Sequence, residues 1–273
     1  MSHLVAGPEL SRVRHHGPAA VLAAAATVAL VVAPDRYGLT GLVVTVAVLQ
    51  LALVVSWGAA LGFRGHLGAG VLGAGTAIAA DIVLVRSEDD ALAPLAAVLA
   101  LAIVASFAHQ LLRSPPRLEV SDSLAGDALL AVAVVALSAY VVLYRVTDGT
   151  VLLDACVAAV GAAVVVGHLL DLVAPYPRIV EGVPRGLLGF LAGTGAAVLA
   201  AIWRAGATEL VERLGAIILG GILGGVAGLI AIGASYAAAE RRGRGPAQAC
   251  VQAVLPFAAT APVAYFLSLV VSG

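Results

Sequence analysis

Residues 151–173 read VLLDACVAAVGAAVVVGHLLDLV, and only Asp154, His168 and Asp171 interrupt the apolar run with polar side chains. Wound as a helix at about 1.5 Å per residue, the stretch is roughly 34 Å long, enough to cross a hydrocarbon layer of roughly 30 Å. A surface helix of a soluble protein would show one polar face, and this one has none.

Blocks of the same kind lie on both sides, at 18–33, 39–63, 67–85, 91–112, 124–144, 186–203, 214–239 and 247–271. Of the 273 residues, 62% are hydrophobic and 11% charged, with a mean hydropathy of +1.06. An ordinary globular domain carries about 25% charged residues, so a soluble enzyme is excluded and no stretch is left for a separate soluble domain. The expected fold is all-α: a polytopic integral membrane protein of about nine transmembrane helices, with 1–17 as a cytoplasmic tail and 18–273 as one transmembrane domain. The first block follows Arg12 and Arg14 as a signal peptide would, but Pro18, the neighbouring histidines and the lack of a small-x-small cleavage pattern favour a span. Its end is expected at Pro34.

All fifteen basic residues are arginine. They lie between the apolar blocks and form no single basic face, which gives no support to a nucleic-acid partner. Nine spans place ten arginines on the N-terminal side (Arg12, Arg14, Arg64, Arg113, Arg117, Arg178, Arg185, Arg241, Arg242, Arg244) and five on the other. The positive-inside rule then puts the N-terminus in the cytoplasm and the chain in the plasma (inner) membrane. Cys156 and Cys250 sit in apolar runs without metal-ligand spacing and read as small buried hydrophobes. The glycine runs 68–75 and 220–228 follow no strand, so they read as helix-packing surfaces and not as a phosphate loop.

Ionisable groups inside spans are costly, and each is therefore a candidate for function. Asp81 and Asp154 fall toward the outer ends of their spans, where snorkelling to the interface competes with function. Asp127 reads as a cap or first-turn acid. His168 and Asp171, three apart, share one helix face and form, with Asp154, the candidate polar or metal site. Arg113, Arg117, Arg178, Arg185, Arg241 and Arg242 form a basic inner rim suited to anionic phospholipid headgroups.

The order of segments resembles the CTP:phosphatidate cytidylyltransferases, the CDP-diacylglycerol synthase family. The likeness rests on the nine spans, on 113–117 (RSPPR) followed by 120–124 (VSDSL), and on 183–193 (VPRGLLGFLAG). It continues at Ile232-Gly233-Ala234 with Glu240-Arg241-Arg242, and at 261–265 (APVAY). The resemblance implies transfer of a cytidylyl group to phosphatidate with divalent ions held by carboxylates, Mg2+ being the cofactor of an active enzyme. It places Arg185 at a basic position of the family's motif and either Asp154 or Asp171 at an acidic one, with Asp171 favoured by its depth near the cytoplasm. Where the family carries its acidic signature, residues 243–255 read GRGPAQACVQAVL, and no Asp or Glu follows Glu240. The expectation is a non-catalytic relative that binds anionic phospholipid or serves as an accessory subunit, with a membrane-protein partner or a second copy of the chain. The alternatives are an active CTP- and Mg2+-dependent cytidylyltransferase or a small-solute or lipid transporter.

Overall fold

The computed structural model describes residues 12–62, 65–87, 92–116, 118–147, 150–180, 182–240 and 245–272. Apart from one isolated bridge between Arg178 and Gly186, the described residues are helices and the turns joining them. The elements are α1 (Arg12–Leu61), α2 (His66–Arg86), α3 (Ala93–Leu112), α4 (Val120–Leu137), α5 (Ala139–Val146), α6 (Val151–Val173), α7 (Leu187–Ala205), α8 (Leu210–Glu240) and α9 (Pro246–Ser272). With α4 and α5 taken as one, eight helical segments among the described residues are long and apolar enough to cross a membrane. The chain is an all-helical, multi-pass membrane protein.

At 50 residues, α1 would be about 75 Å long if straight, more than twice a hydrocarbon layer. It is not straight. Gly38 leaves the helical region with φ 58° and ψ −147°, a conformation that only glycine adopts without strain. Beyond the break the chain folds back so closely that a Cβ on Gly41 would collide with the Ala33 carbonyl oxygen. The helix runs through Pro34, where the sequence leads one to expect its end, because a proline removes one hydrogen bond without forbidding helix, and the reversal waits for the glycine. At the other extremity α1 begins at Arg12, inside the stretch expected as a tail, and His15 and His16 are buried in the bundle.

The α6 segment lies at the centre, packed by α1, α7 and α8. Leu153, Cys156, Val157 and Val160 are fully buried. Glycines set the spacing of its neighbours. A Cβ on Gly193 would stand 2.6 Å from the Ala163 carbonyl oxygen, and one on Gly189 would collide with the Asp171 carboxylate. In α8 the packing glycines recur every fourth residue: Gly220 lies against Val198, Gly224 against Ala197 and Gly228 against the Phe190 ring. Gly225 and Gly233 face open space. Long apolar side chains such as Val55, Leu67, Leu101, Leu112 and Leu199 point outward, forming the surface that lipid covers.

The fifth expected span is one helical segment, Val120–Val146, that tightens at Ser138: this residue keeps right-handed helical dihedrals, but its backbone N–H bonds Val135 three residues back at 3.1 Å before the helix resumes as α5. Two ends of the bundle follow from these elements. One, here the Arg12 end, gathers the start of α1, the C-termini of α3, α6 and α8 and the 174–186 connection. The other, the Gly38 end, gathers the α1 reversal, the start of α6 and the end of α7.

Candidate functional site

At the Arg12 end, the C-terminal turns of α6 bring His168 and Asp171 to the same face, as their spacing requires. The partner of both is Arg185, delivered by the 174–186 connection. Its Nη1 donates to Asp171 Oδ2 at 3.1 Å, its Nη2 to His168 Nε2 at 2.8 Å and its Nε to Ser235 Oγ of α8 at 3.0 Å. The backbone N–H of Gly186 donates to the other carboxylate oxygen of Asp171 at 2.9 Å. The Ser235 hydroxyl in turn donates to the Ala231 carbonyl at 2.9 Å.

The geometry fixes the histidine tautomers. His16 Nε2 lies 2.7 Å from the Pro184 carbonyl, which only accepts, so Nε2 carries the proton. His16 Nδ1 and His168 Nδ1 are 3.0 Å apart, and a hydrogen bond between them needs one donor. His168 Nε2 accepts from Arg185, so His168 Nδ1 donates to His16 Nδ1. The result is a one-way chain of neutral imidazoles, from the Arg185 guanidinium through His168 and His16 to the Pro184 carbonyl. His16 and His168 are fully buried, and Asp171 and Arg185 are only 1% and 3% exposed. Burial lowers the Arg185 guanidinium from its ordinary value, and the Asp171 carboxylate beside it opposes that shift. This cluster ties α1, α6, α8 and the 174–186 connection together with each hydrogen-bonding group satisfied by the next.

A second cluster joins α3 to α4. His109 Nδ1 lies 3.0 Å from Asp127 Oδ2, which also accepts from Gln110 Nε2 at 2.9 Å. Gln110 reaches Ser123 Oγ at 2.8 Å, and Arg113 donates to Gln110 Oε1 at 2.8 Å. Asp127 stands in the third turn of α4 and forms no cap, so its role is an interhelical hydrogen bond with His109 and Gln110 and not the first-turn one expected. At the outer surface of the same end, the Arg12 and Arg178 guanidinium carbons lie 6.0 and 5.6 Å from the centroid of the exposed Tyr176 ring.

At the Gly38 end, Asp154 pairs with Arg204 of α7. Asp154 and Asp171 are seventeen residues apart on one helix, about 25 Å along its axis, and they cannot share a site. The candidate set His168, Asp171 and Asp154 is therefore two separate places. Among the described residues no three His, Cys, Asp or Glu side chains converge on a metal position. Both oxygens of Asp171 and both ring nitrogens of His168 are engaged, so a divalent ion would have to displace Arg185. The donor set does not fit the Mg2+ centre that the resemblance implies.

In the fourth cluster the sequence singles out Asp81 but not its partners Gln50 and Ser138. Gln50, in the second arm of α1, donates through Nε2 to the Val134 carbonyl at 2.9 Å and Ser138 Oγ at 2.9 Å, and lies 3.2 Å from Asp81 Oδ1. Ser138 Oγ donates to the same carboxylate oxygen at 3.0 Å. Gln50 is 1% exposed, and its Oε1 has no partner. Asp81, half-buried and five residues before the end of α2, thus meets neutral donors within the bundle.

Of the expected inner rim, Arg178 is exposed and Arg113 partly so, whereas Arg185 is enclosed and committed to its internal partners. Arg117, Arg241 and Arg242 lie outside the described residues. No family model, curated protein or solved structure matches the chain, and nothing links it to the CDP-diacylglycerol synthase family.

Proposed function

We propose that the chain is a non-catalytic membrane protein of nine passes, with its N-terminus in the cytoplasm of a cell whose plasma membrane it crosses, and that its Arg12 end holds anionic phospholipid headgroups. The reversal at Gly38 supports the count of nine, since it divides α1 into two arms that each suit a bilayer. The ten-to-five partition of arginines supports the orientation.

The lipid reading is carried by one observation: Arg12 and Arg178 converge on exposed Tyr176, with Ile179 and Val180 exposed beside them. An amphipathic aromatic ring between two cations, flanked by apolar side chains, suits the headgroup layer. The closed state of Asp171 supports the non-catalytic reading, because both of its oxygens are engaged and neither is open to a metal–triphosphate complex.

The test is retention of phosphatidylglycerol against phosphatidylcholine by the purified full chain, comparing wild type with an Arg12→Gln/Arg178→Gln double variant. Each basic residue near an anionic surface contributes about 1 kcal/mol, so the double variant should lose on the order of twentyfold in preference. Equal preference in the two proteins would contradict the lipid site. Mg2+-dependent conversion of CTP and phosphatidate to CDP-diacylglycerol above a denatured control would contradict the non-catalytic reading. A second reading, ion-coupled transport of a small solute, is favoured by Asp81, an intramembrane acid with no basic partner among the described residues.

A further inference from the structure

Three of the four aspartates that are buried or half-buried along the helices are matched by a basic side chain: Asp171 by Arg185, Asp127 by His109 and Asp154 by Arg204, while Asp81 is half-buried. Asp81 is the exception. Its partners are Gln50 Nε2 and Ser138 Oγ, both neutral donors. It lies fifteen residues into α2 and Gln50 eleven residues from the end of the second α1 arm, roughly 22 and 16 Å from the Arg12 end. Both are beyond the reach of the headgroup layer on that side.

Two further observations converge on this carboxylate. The helix tightens at Ser138, so the amide that would bond the Val134 carbonyl in a regular helix turns to Val135 instead. The Val134 carbonyl is left to the Gln50 amide, and carbonyls released from helices within membranes can coordinate cations. The third is Gln50 itself. Its Nε2 stands among three oxygens, Val134 O, Ser138 Oγ and Asp81 Oδ1, at 2.9 to 3.2 Å, the place a cation would take. Its Oε1 is buried without a partner. With the Gln50 side chain drawn back, those three hard oxygens are left facing one place, and its own Oε1 is a fourth oxygen donor beside them.

We propose that Asp81, Gln50, Ser138 and the Val134 carbonyl form an intramembrane binding site for one monovalent alkali cation, with the Gln50 amide nitrogen holding its place when the ion is absent. Charge balance selects the class. One carboxylate neutralises one positive charge, whereas a divalent ion would leave an uncompensated charge in a low-dielectric interior. A proton on Asp81 would also neutralise it, but a proton needs one acceptor and leaves the freed carbonyl and the orphaned Gln50 Oε1 without a purpose. The site does not depend on the lipid reading, since it lies in the span and not at the Arg12 rim.

The test is thermal unfolding of the purified full chain at constant ionic strength, with choline chloride replaced stepwise by NaCl in one series and KCl in another. Binding to the folded state alone raises the midpoint in a saturable way. Wild type should show this with at least one of the two ions, which identifies the preferred one. Asp81→Asn should abolish the dependence, and Ser138→Ala should weaken the apparent affinity at least tenfold while the protein remains folded. The Arg12→Gln/Arg178→Gln variant should keep the full ion dependence, which separates failure of this site from failure of the lipid site. A folded wild type whose midpoint ignores both ions, an Asp81→Asn protein with the same dependence, or a midpoint that follows pH alone would each overturn the proposal.

Discussion

Asp171 and Asp81 are both acids on apolar helices, and the protein surrounds them in opposite ways. Around Asp171 a guanidinium, two imidazoles, a serine and a backbone amide satisfy one another in sequence, and nothing is left over to bind a ligand. Around Asp81 the donors are neutral, a carbonyl has been released from its helix and an amide oxygen is orphaned. An intramembrane carboxylate closed by an arginine fastens helices together, whereas one left with a net charge and surplus oxygens is built for something that arrives. The lesson is that the partner of a buried charge, more than its depth, tells fastening from binding.

The comparison breaks most readily at Arg185. Arg185→Ala would leave Asp171 charged and unpaired in the interior, at a cost of about 3–5 kcal/mol, seen as a large fall in the unfolding midpoint in detergent. Replacing both partners, as Arg185→Met with Asp171→Leu, should recover most of that loss; no recovery would mean that the pair does more than fasten. Next comes Gly189→Ala, whose Cβ would enter the Asp171 carboxylate and should cost about 1–3 kcal/mol in the same measurement. An effect as small as that of an alanine at Gly195, where space is open, would contradict the close fit. At the Gly38 end, Arg204→Met should cost no more than about 1 kcal/mol, because the Arg204 side chain is 29% exposed and solvent screens the pair. The smallest effect belongs to Asp81→Asn in choline chloride, where removing an unmatched charge should leave the midpoint unchanged or slightly higher.

The helices were legible in the sequence because twenty-residue apolar runs have few other physical outcomes. Residues 151–173 bound α6 as read, and the His168–Asp171 face follows from helical spacing alone. What lay beyond reading was partnership across the chain. The sequence puts Arg185 on the basic inner rim because arginines beside spans usually face headgroups, yet the 174–186 connection turns it inward to residues on α6 and α8. His16 looked like part of a tail, and its partner His168 is 152 residues away. The tightened turn at Ser138 carries no glycine or proline to announce it, so 124–144 read as one regular span. Without that turn, Gln50 had no visible reason to matter and Asp81 looked like an acid at the edge of the membrane.

The central claim is that Asp81, whose partners are all neutral donors, binds an alkali cation. Equilibrium binding of radiolabelled sodium, with unlabelled potassium as competitor, to wild type, Asp81→Asn and Asp154→Asn proteins tests it most directly. The account predicts one competable alkali-cation site per chain in wild type and in Asp154→Asn, and none in Asp81→Asn; no site in folded wild type, or an undiminished one in Asp81→Asn, would contradict it.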